Sequence, residues 1–138
     1  MDKERILSKI DELNQYIKEL EKIRPKTFEE YKSNILIKRA CERLLQVSIE
    51  CIIDIASILV KELKIGLPSE EEDLFDKLEE NGIITRKMKD KLRLMRGFRN
   101  ILVHRYGKID DKLVFENLSK IQDFKDFSKQ IIEFLKNN

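Results

Sequence analysis

The segment RLMRGFRNILVHRYGKID contains His104, the only histidine of the chain, and surrounds it with cations. Arg99 and Asn100 lie upstream of this histidine, and Arg105 and Tyr106 follow it directly. An arginine holds phosphate oxygens in a bidentate manner and stabilises negative charge that develops on phosphorus. A histidine takes a proton from a nucleophile or donates one to a leaving group. These residue types together favour chemistry on a phosphodiester.

RNA is the substrate class that needs the least from such a site, because its 2′-OH serves as the nucleophile. No metal or other cofactor is then required. Metal-free cleavage works best with both an acid and a base, whereas the chain has a single histidine. A two-fold homodimer that brings two copies of the segment together would supply both. The alternative is structural, since a histidine near a helix C-terminus is mildly favourable as a cap.

Spacing within the segment predicts which side chains share a helical face. Asn100 and His104 are four residues apart, as are Arg99 and Val103, so each pair lies on one face. Arg99 and His104 are five residues apart and diverge by about 140° around the helix. They can meet only at a groove, where the long arginine reaches round or the helix unwinds.

The elements that position this segment are expected to be few and long. The chain has 138 residues, with four glycines and two prolines, which suits a single domain over residues 1–138. Charged residues make up 39% and apolar residues 41%, a balance that excludes a disordered polymer. The net charge of +2 is too small to indicate a broad nucleic-acid surface.

Apolar periodicity predicts an all-α, antiparallel bundle of four main helices plus a short one. The first helix ends before Pro25, and the second runs from about Phe28 to about Leu63. Ser69 with Glu72 resembles the capping box of the short helix, and Gly82 its C-terminal turn. The remaining N-caps are expected at Thr27, at Thr85, and at Asp110 or Asp111.

The second helix is apolar on nearly every side from Leu44 to Val60. Such a helix must be covered all round, which also favours an oligomer. Asp54 interrupts this run, and a buried carboxylate needs a cation or donor. We therefore consider that Asp54 orients Arg99 or His104, or else is an exposed or interface acid. Glu50, four residues earlier, is a candidate of the same kind.

Cations are concentrated before and within the segment, and Arg96 is one of them; acids come just before. The simplest interpretation is a solvated face with ion pairs four residues apart. Cys41 and Cys51 lie in an apolar helical run with no metal-ligand spacing, so buried thiols in a reducing cytoplasm are expected and no metal site. The charged N-terminus does not resemble a signal peptide, and no segment is apolar enough for a membrane span.

RNILVH followed by RY matches the R-x-x-x-x-H-x-Y pattern of HEPN domains, and the chain resembles their HepT-type toxins in particular. The resemblance covers nearly the whole chain, including its size, its long second helix and the place of the motif at the end of the fourth helix. It implies a metal-independent endoribonuclease with a cleft shared by two subunits. It carries over Arg99, Asn100, His104 and Tyr106, with Arg96 and Arg105 as basic context.

The resemblance also implies a partner. HepT-type toxins are usually paired with a minimal nucleotidyltransferase antitoxin that attaches AMP to the motif tyrosine, here Tyr106. Two other functions stay open at this point. The chain is alternatively a non-catalytic helical module that binds a nucleotide or a partner protein, or a structural dimer whose motif caps a helix.

Overall fold

The computed structural model describes residues 1–67, 69–104 and 108–138. Within these ranges the chain forms helices, one 3₁₀ turn at Glu71–Asp73, and no strand. The α-helices are α1 (Lys3–Ile23), α2 (Phe28–Lys32), α3 (Ile35–Leu63), α4 (Leu74–Glu80), α5 (Arg86–Val103), α6 (Asp111–Leu118) and α7 (Ile121–Lys136). The prediction of an all-α bundle is confirmed.

Helix α1 shows how the apolar pattern sets the packing. It buries one stripe of residues spaced three and four apart, namely Ile6, Ile10, Leu13, Ile17 and Leu20. This stripe packs mainly against α3, as burial of a single apolar face requires. The helix ends at Ile23, before Pro25, as predicted.

Helix α3 is the centre of the bundle and contacts α1, α4 and α5. Most of its apolar residues between Leu44 and Val60 are already buried within one chain. The prediction that this run needs a partner subunit to cover it is therefore wrong. Any dimer must rest on another surface.

Two of the predicted helices are divided. Asn34 separates α2 from α3, because its side chain accepts hydrogen bonds from the N–H groups of Leu36 and Ile37 and so begins a new helix. Ser119 and Lys120 separate α6 from α7. In both places the apolar period continues across the break, so the pattern alone predicts one helix.

Helix α5 carries the first part of the histidine segment and packs against α3 and α4. The Thr85 hydroxyl accepts a hydrogen bond from the Met88 N–H, which confirms the predicted N-cap. Burial then follows the apolar face at Met88, Leu92, Met95, Phe98 and Leu102, against α3 and α4.

The predicted capping box at Ser69 is wrong, because the 3₁₀ turn at Glu71–Asp73 leads into α4 and neither has a side-chain cap.

The turn between α4 and α5 depends on Gly82, whose φ is +72°. The N–H of Ile83 bonds to the carbonyl of Leu78, and that of Gly82 to the carbonyl of Glu79. This pair of bonds closes a helix C-terminus only when the residue past the cap is left-handed.

We expect Gly82→Ala to lower the free energy of unfolding by about 1 kcal/mol, because a side chain disfavours the left-handed conformation. No atom lies within 4 Å of an added Cβ, so the loss is a backbone effect. Gly82→Asn should recover part of it, since asparagine tolerates this region. Urea denaturation measures both, and an alanine variant as stable as wild type would contradict the assignment.

The two cysteines are buried in α3. Burial raises the pKa of the Cys41 thiol to about 11 and that of Cys51 to about 12. Both therefore stay protonated near neutral pH. Among the described residues, no group of three or more His, Cys, Asp or Glu is placed to hold a metal ion. Nor does any helix in those ranges have the length and apolarity needed to cross a membrane.

Candidate active site

The end of α5 holds the described part of the histidine segment. His104 is the C-cap residue of α5, exposed, with its backbone N–H bonded to the Asn100 carbonyl at 2.9 Å. Arg99 points elsewhere, since its side chain is only 15% exposed and lies against α3. The expected divergence of these two residues around the helix is present. His104 is exposed and Asn100 half-buried on one side of α5, and Arg99 lies on the side next to α3.

The Arg99 guanidinium is held by two acids from different elements. Its Nη1 lies 3.8 Å from Oε2 of Glu50 on α3. Its Nη2 contacts Oε1 of Glu71 in the 3₁₀ turn. Its Nε is buried and has no hydrogen-bond partner among the described residues. A buried donor left unsatisfied costs about 1–3 kcal/mol, so this edge of the guanidinium has unused binding capacity.

Arg96 shares the same carboxylate. Its Nε donates to Oε1 of Glu71 at 2.9 Å, and its Nη2 lies 3.9 Å from Glu72. Arg96 and Arg99 are three residues apart on α5 and thus neighbours on the helix surface. One oxygen of Glu71 therefore bridges two arginines.

Asp54 does not contribute to this arrangement. Its side chain is 56% exposed and lies 3.5 Å from Lys9 of α1. The structure thus supports the alternative that Asp54 is an exposed acid. The contact with Arg99 from α3 is made by Glu50, one turn earlier.

In the described part of the chain, five cations of α5 pair with acids of other elements, namely Lys89, Lys91, Arg93, Arg96 and Arg99. Lys89 lies 3.8 Å from Asp76 and 3.5 Å from Glu79, both on α4. Arg93 also pairs with Asp76, and Lys91 pairs with Asp123 of α7 at 2.9 Å. The interpretation of these charges as pairs four residues apart is wrong, because the acids before the segment fold back onto α5.

The open face of α5 is apolar next to the histidine. Leu94 is 69% exposed and Ile101 is 49% exposed. Between them lies Gly97, also exposed, with no atom within 4 Å of an added Cβ. Positions 94, 97, 101 and 104 lie on one side of an ideal helix. The chain therefore presents an apolar strip that leads to His104.

Arg105 and Tyr106 lie outside the described residues. The chain is described again from Lys108, which lines a cavity of about 760 Å³ between the start of α3 and the start of α6. Its cationic lining residues are Lys38, Arg39, Lys108 and Lys112. Lys38 is paired with Asp111 at 3.0 Å. The lining also includes Asp110 and Asp111, so this cavity carries charges of both signs with the cations in excess.

Comparison with known proteins identifies the family. The model of the family described as "Ribonuclease HepT-like" matches residues 13–131, most of the chain. The chain belongs to the HepT-like ribonuclease family. A HepT mRNA nuclease from Shewanella oneidensis is 29% identical over 123 residues, covering 88% of this chain and 92% of the relative. A HepT tRNA nuclease from Aphanizomenon flos-aquae is 28% identical over 131 residues, covering 94% and 89%.

Solved structures agree with this assignment. A tri-AMPylated Shewanella oneidensis HEPN toxin, in complex with an MNT antitoxin, superposes with a TM-score of 0.85 at 28% identity. The match covers 93% of this chain and 96% of that one. The resemblance to HepT-type HEPN toxins is confirmed, and the chain is a ribonuclease of the toxin–antitoxin class.

Sequence reasoning missed Glu71. It lies 28 residues before Arg99, a separation that no helical spacing rule covers. The available signal was the run of acids just before the cations of α5, which predicted charge pairing but not which acid meets which arginine. Glu50 was named as a candidate, and the structure places it at Arg99.

Proposed function

We propose that this HepT-like ribonuclease is a metal-independent endoribonuclease toxin of the cytoplasm. It cleaves RNA by attack of the substrate 2′-OH on the adjacent phosphate, which forms a 2′,3′-cyclic phosphate and breaks the bond from phosphorus to the 5′-oxygen of the next nucleotide, which leaves as a hydroxyl. His104 takes the proton from the 2′-OH or donates one to the leaving oxygen. Arg99 holds the phosphate and stabilises its developing charge. Asn100 shares the open face with His104 and supplies an amide to the substrate. Arg96 and Arg105 add positive charge along the RNA backbone.

The observation that carries this proposal is the exposed position of His104 at the end of the helix that also carries Arg99 and Arg96. A histidine used only as a cap would need no arginines beside it. Arg99 is paired with Glu50 and Glu71, but its Nε has no hydrogen-bond partner among the described residues, and in this proposal that donor bonds the substrate phosphate.

A homodimer completes the site in this proposal. One chain supplies one imidazole, whereas cleavage by acid and base uses two proton-transfer groups. The strip formed by Leu94, Gly97 and Ile101 borders His104, and an exposed glycine without local need for it allows close approach of a second helix. Isologous pairing of two α5 helices across this strip would place the two copies of His104 at one cleft.

We expect Ile101→Glu to shift the protein from dimer to monomer, because it places a charge in the middle of that apolar interface. Leu7→Glu on α1 is the matched control, since Leu7 is 41% exposed and α1 packs mainly against α3 and α7. Sedimentation velocity at micromolar concentration distinguishes the two. A wild-type monomer, or equal behaviour of both variants, would contradict the α5 interface.

The partner in this proposal is a minimal nucleotidyltransferase antitoxin. The Shewanella oneidensis toxin that superposes on this chain is in complex with an MNT antitoxin and carries AMP. By similarity, the antitoxin of this chain transfers AMP to the Tyr106 hydroxyl and so neutralises the toxin.

The nuclease function is tested by incubating the purified protein with single-stranded RNA in excess EDTA. Endonucleolytic fragments that end in a 2′,3′-cyclic phosphate are expected. Activity that disappears with EDTA and returns with a divalent cation would contradict metal independence. Complete absence of cleavage at high enzyme concentration would favour a non-catalytic binding module.

A further inference from the structure

We propose that Arg96 and Arg99 form a two-arginine phosphate site on α5, and that Glu71 occupies it as an internal competitor until an RNA phosphate displaces it. The proposal rests on the ribonuclease function above, since it names the group that receives the substrate backbone. It adds a binding residue, Arg96, and a displaceable one, Glu71.

The geometry of the carboxylate is that of a bound anion. Oε1 of Glu71 accepts from Nε of Arg96 at 2.9 Å and contacts Nη2 of Arg99. Arginine side chains three residues apart on a helix are neighbours, and here both reach the same carboxylate oxygen. An oxygen of Glu71 therefore stands where an oxygen of a phosphodiester would stand.

The carboxylate fills this site incompletely. Nη2 and Nε form one edge of a guanidinium, the edge that binds a phosphate in bidentate fashion. At Arg99, Nη2 is used by Glu71, but Nε is buried without a partner in the described part of the chain. A phosphodiester group has two free oxygens and can satisfy both donors of that edge while still accepting from Arg96. The substrate thus makes a contact that Glu71 leaves unmade.

The two acids that contact Arg99 belong to different kinds of secondary structure. Glu50 belongs to the long central helix α3, in contact with Gln46 at 3.4 Å. Glu71 belongs to a three-residue 3₁₀ turn between α3 and α4, with no side-chain cap. Such a turn has few bonds to hold it, so Glu71 can leave while Glu50 keeps Arg99 in place. Glu50 is therefore a positioning residue, and Glu71 is the exchangeable one.

The consequence for affinity follows from competition. A binding site that is free only part of the time has an apparent dissociation constant raised by the inverse of that fraction. Glu71→Gln keeps the size of the side chain and removes its negative charge. Binding of an anionic strand should then tighten by about threefold to tenfold, given the modest strength of partly exposed ion pairs.

The test uses a short fluorescein-labelled single-stranded oligodeoxynucleotide, which has phosphates but no 2′-OH to cleave. Anisotropy titrations compare wild type with Glu71→Gln and with Glu70→Gln, an equal charge change one residue earlier at an exposed position without a capping bond. We expect tightening for Glu71→Gln and less than a twofold change for Glu70→Gln. Adding Arg96→Gln to Glu71→Gln should abolish the gain.

Equal tightening by both glutamate variants would mean general charge repulsion and would overturn the proposal. Unchanged or weaker binding by Glu71→Gln, or no binding by any variant, would also overturn it. Because the probe cannot be cleaved, the result is independent of nuclease activity. A protein that binds as expected but does not cut RNA would retain the phosphate site and lose the proposed catalysis.

A second measurement needs no nucleic acid. Phenylglyoxal modifies accessible arginines, and peptide mass spectrometry locates them. Arg99 should be protected in wild type, react several times faster in Glu71→Gln, and regain protection when inorganic phosphate is added. Equal reaction of Arg99 in both proteins would show that Glu71 does not cover it, and the proposal would fail.

Discussion

Replacement of His104 by alanine should lower the rate of RNA cleavage by about 10²–10⁴-fold, the usual contribution of general acid–base catalysis. The side chain is exposed at the C-cap of α5, and among the described residues the hydrogen bond of His104 is made by its backbone N–H to the Asn100 carbonyl. The variant should therefore fold as well as wild type. Single-turnover cleavage of a fluorescent RNA in EDTA, beside a thermal melt, separates chemistry from stability.

The same cleavage assay tests Arg99 with a substitution that keeps the charge. Arg99→Lys keeps one positive charge but loses the planar fork, so it cannot hold Glu50 from one nitrogen and a phosphate from the opposite edge. Loss of one preorganised charge-stabilising donor commonly costs about 10²–10³-fold in rate. Arg93→Lys is the matched control, since Arg93 lies on the same helix, is 53% exposed and pairs with Asp76.

The pattern across these variants decides the assignment. Catalysis by this segment requires that His104→Ala and Arg99→Lys both lose cleavage while Arg93→Lys keeps it. If the His104 and Arg99 variants cut RNA at the wild-type rate in EDTA, the site lies elsewhere. If Arg93→Lys loses activity as much as the other two, the loss reflects a general disturbance of α5 and not separate roles of His104 and Arg99.

Local features of this fold follow from the sequence because they depend on neighbouring residues. The buried stripe of α1, the Thr85 cap and the left-handed Gly82 each rest on spacings of a few residues. The division at Asn34 is local too, yet the apolar period of α2 and α3 masks it. A capping residue inside an apolar pattern begins a new helix only when the chain changes direction at that residue, and the pattern alone does not show such a change.

The candidate site is predictable only in part, since it combines local and distant contacts. The positions of Asn100 and His104 on one face follow from a spacing of four residues. The partners of Arg99 do not, because Glu50 and Glu71 come from two elements that reach it through packing. Asp54 and Glu50 are indistinguishable in the sequence. Their separation arises because α1 presents Lys9 to one of them and α5 presents Arg99 to the other.

Co-expression with the proposed minimal nucleotidyltransferase antitoxin should add one or more AMP units to the wild-type chain and none to Tyr106→Phe. In the sequence, Tyr106 comes two residues after His104, the C-cap residue of α5, and two residues before Lys108, which lines the cavity between α3 and α6. AMP attached to Tyr106 carries a phosphate only a few residues along the chain from His104 and from Lys108. That phosphate would compete with RNA for the cations of this end of the chain.

The linkage makes this competition effective. A tethered group acts at an effective concentration in the millimolar range, whatever its affinity as a free molecule. The modified chain should therefore lose RNA binding and cleavage while keeping the melting temperature of the unmodified protein. Tyr106→Phe removes a hydroxyl only, so this variant should stay active and remain toxic in cells that also express the antitoxin.

The other two tyrosines provide the controls for this prediction. Tyr31 is fully buried, so its hydroxyl is closed to an enzyme. Tyr16 is partly exposed and donates to Glu12 at 3.1 Å, which makes Tyr16→Phe the matched variant. Intact-mass measurement should give wild type and Tyr16→Phe the same AMP gain and Tyr106→Phe no gain. A gain that persists in Tyr106→Phe would place the modification on another residue, and neutralisation by a phosphate tethered beside His104 would then have no chemical basis.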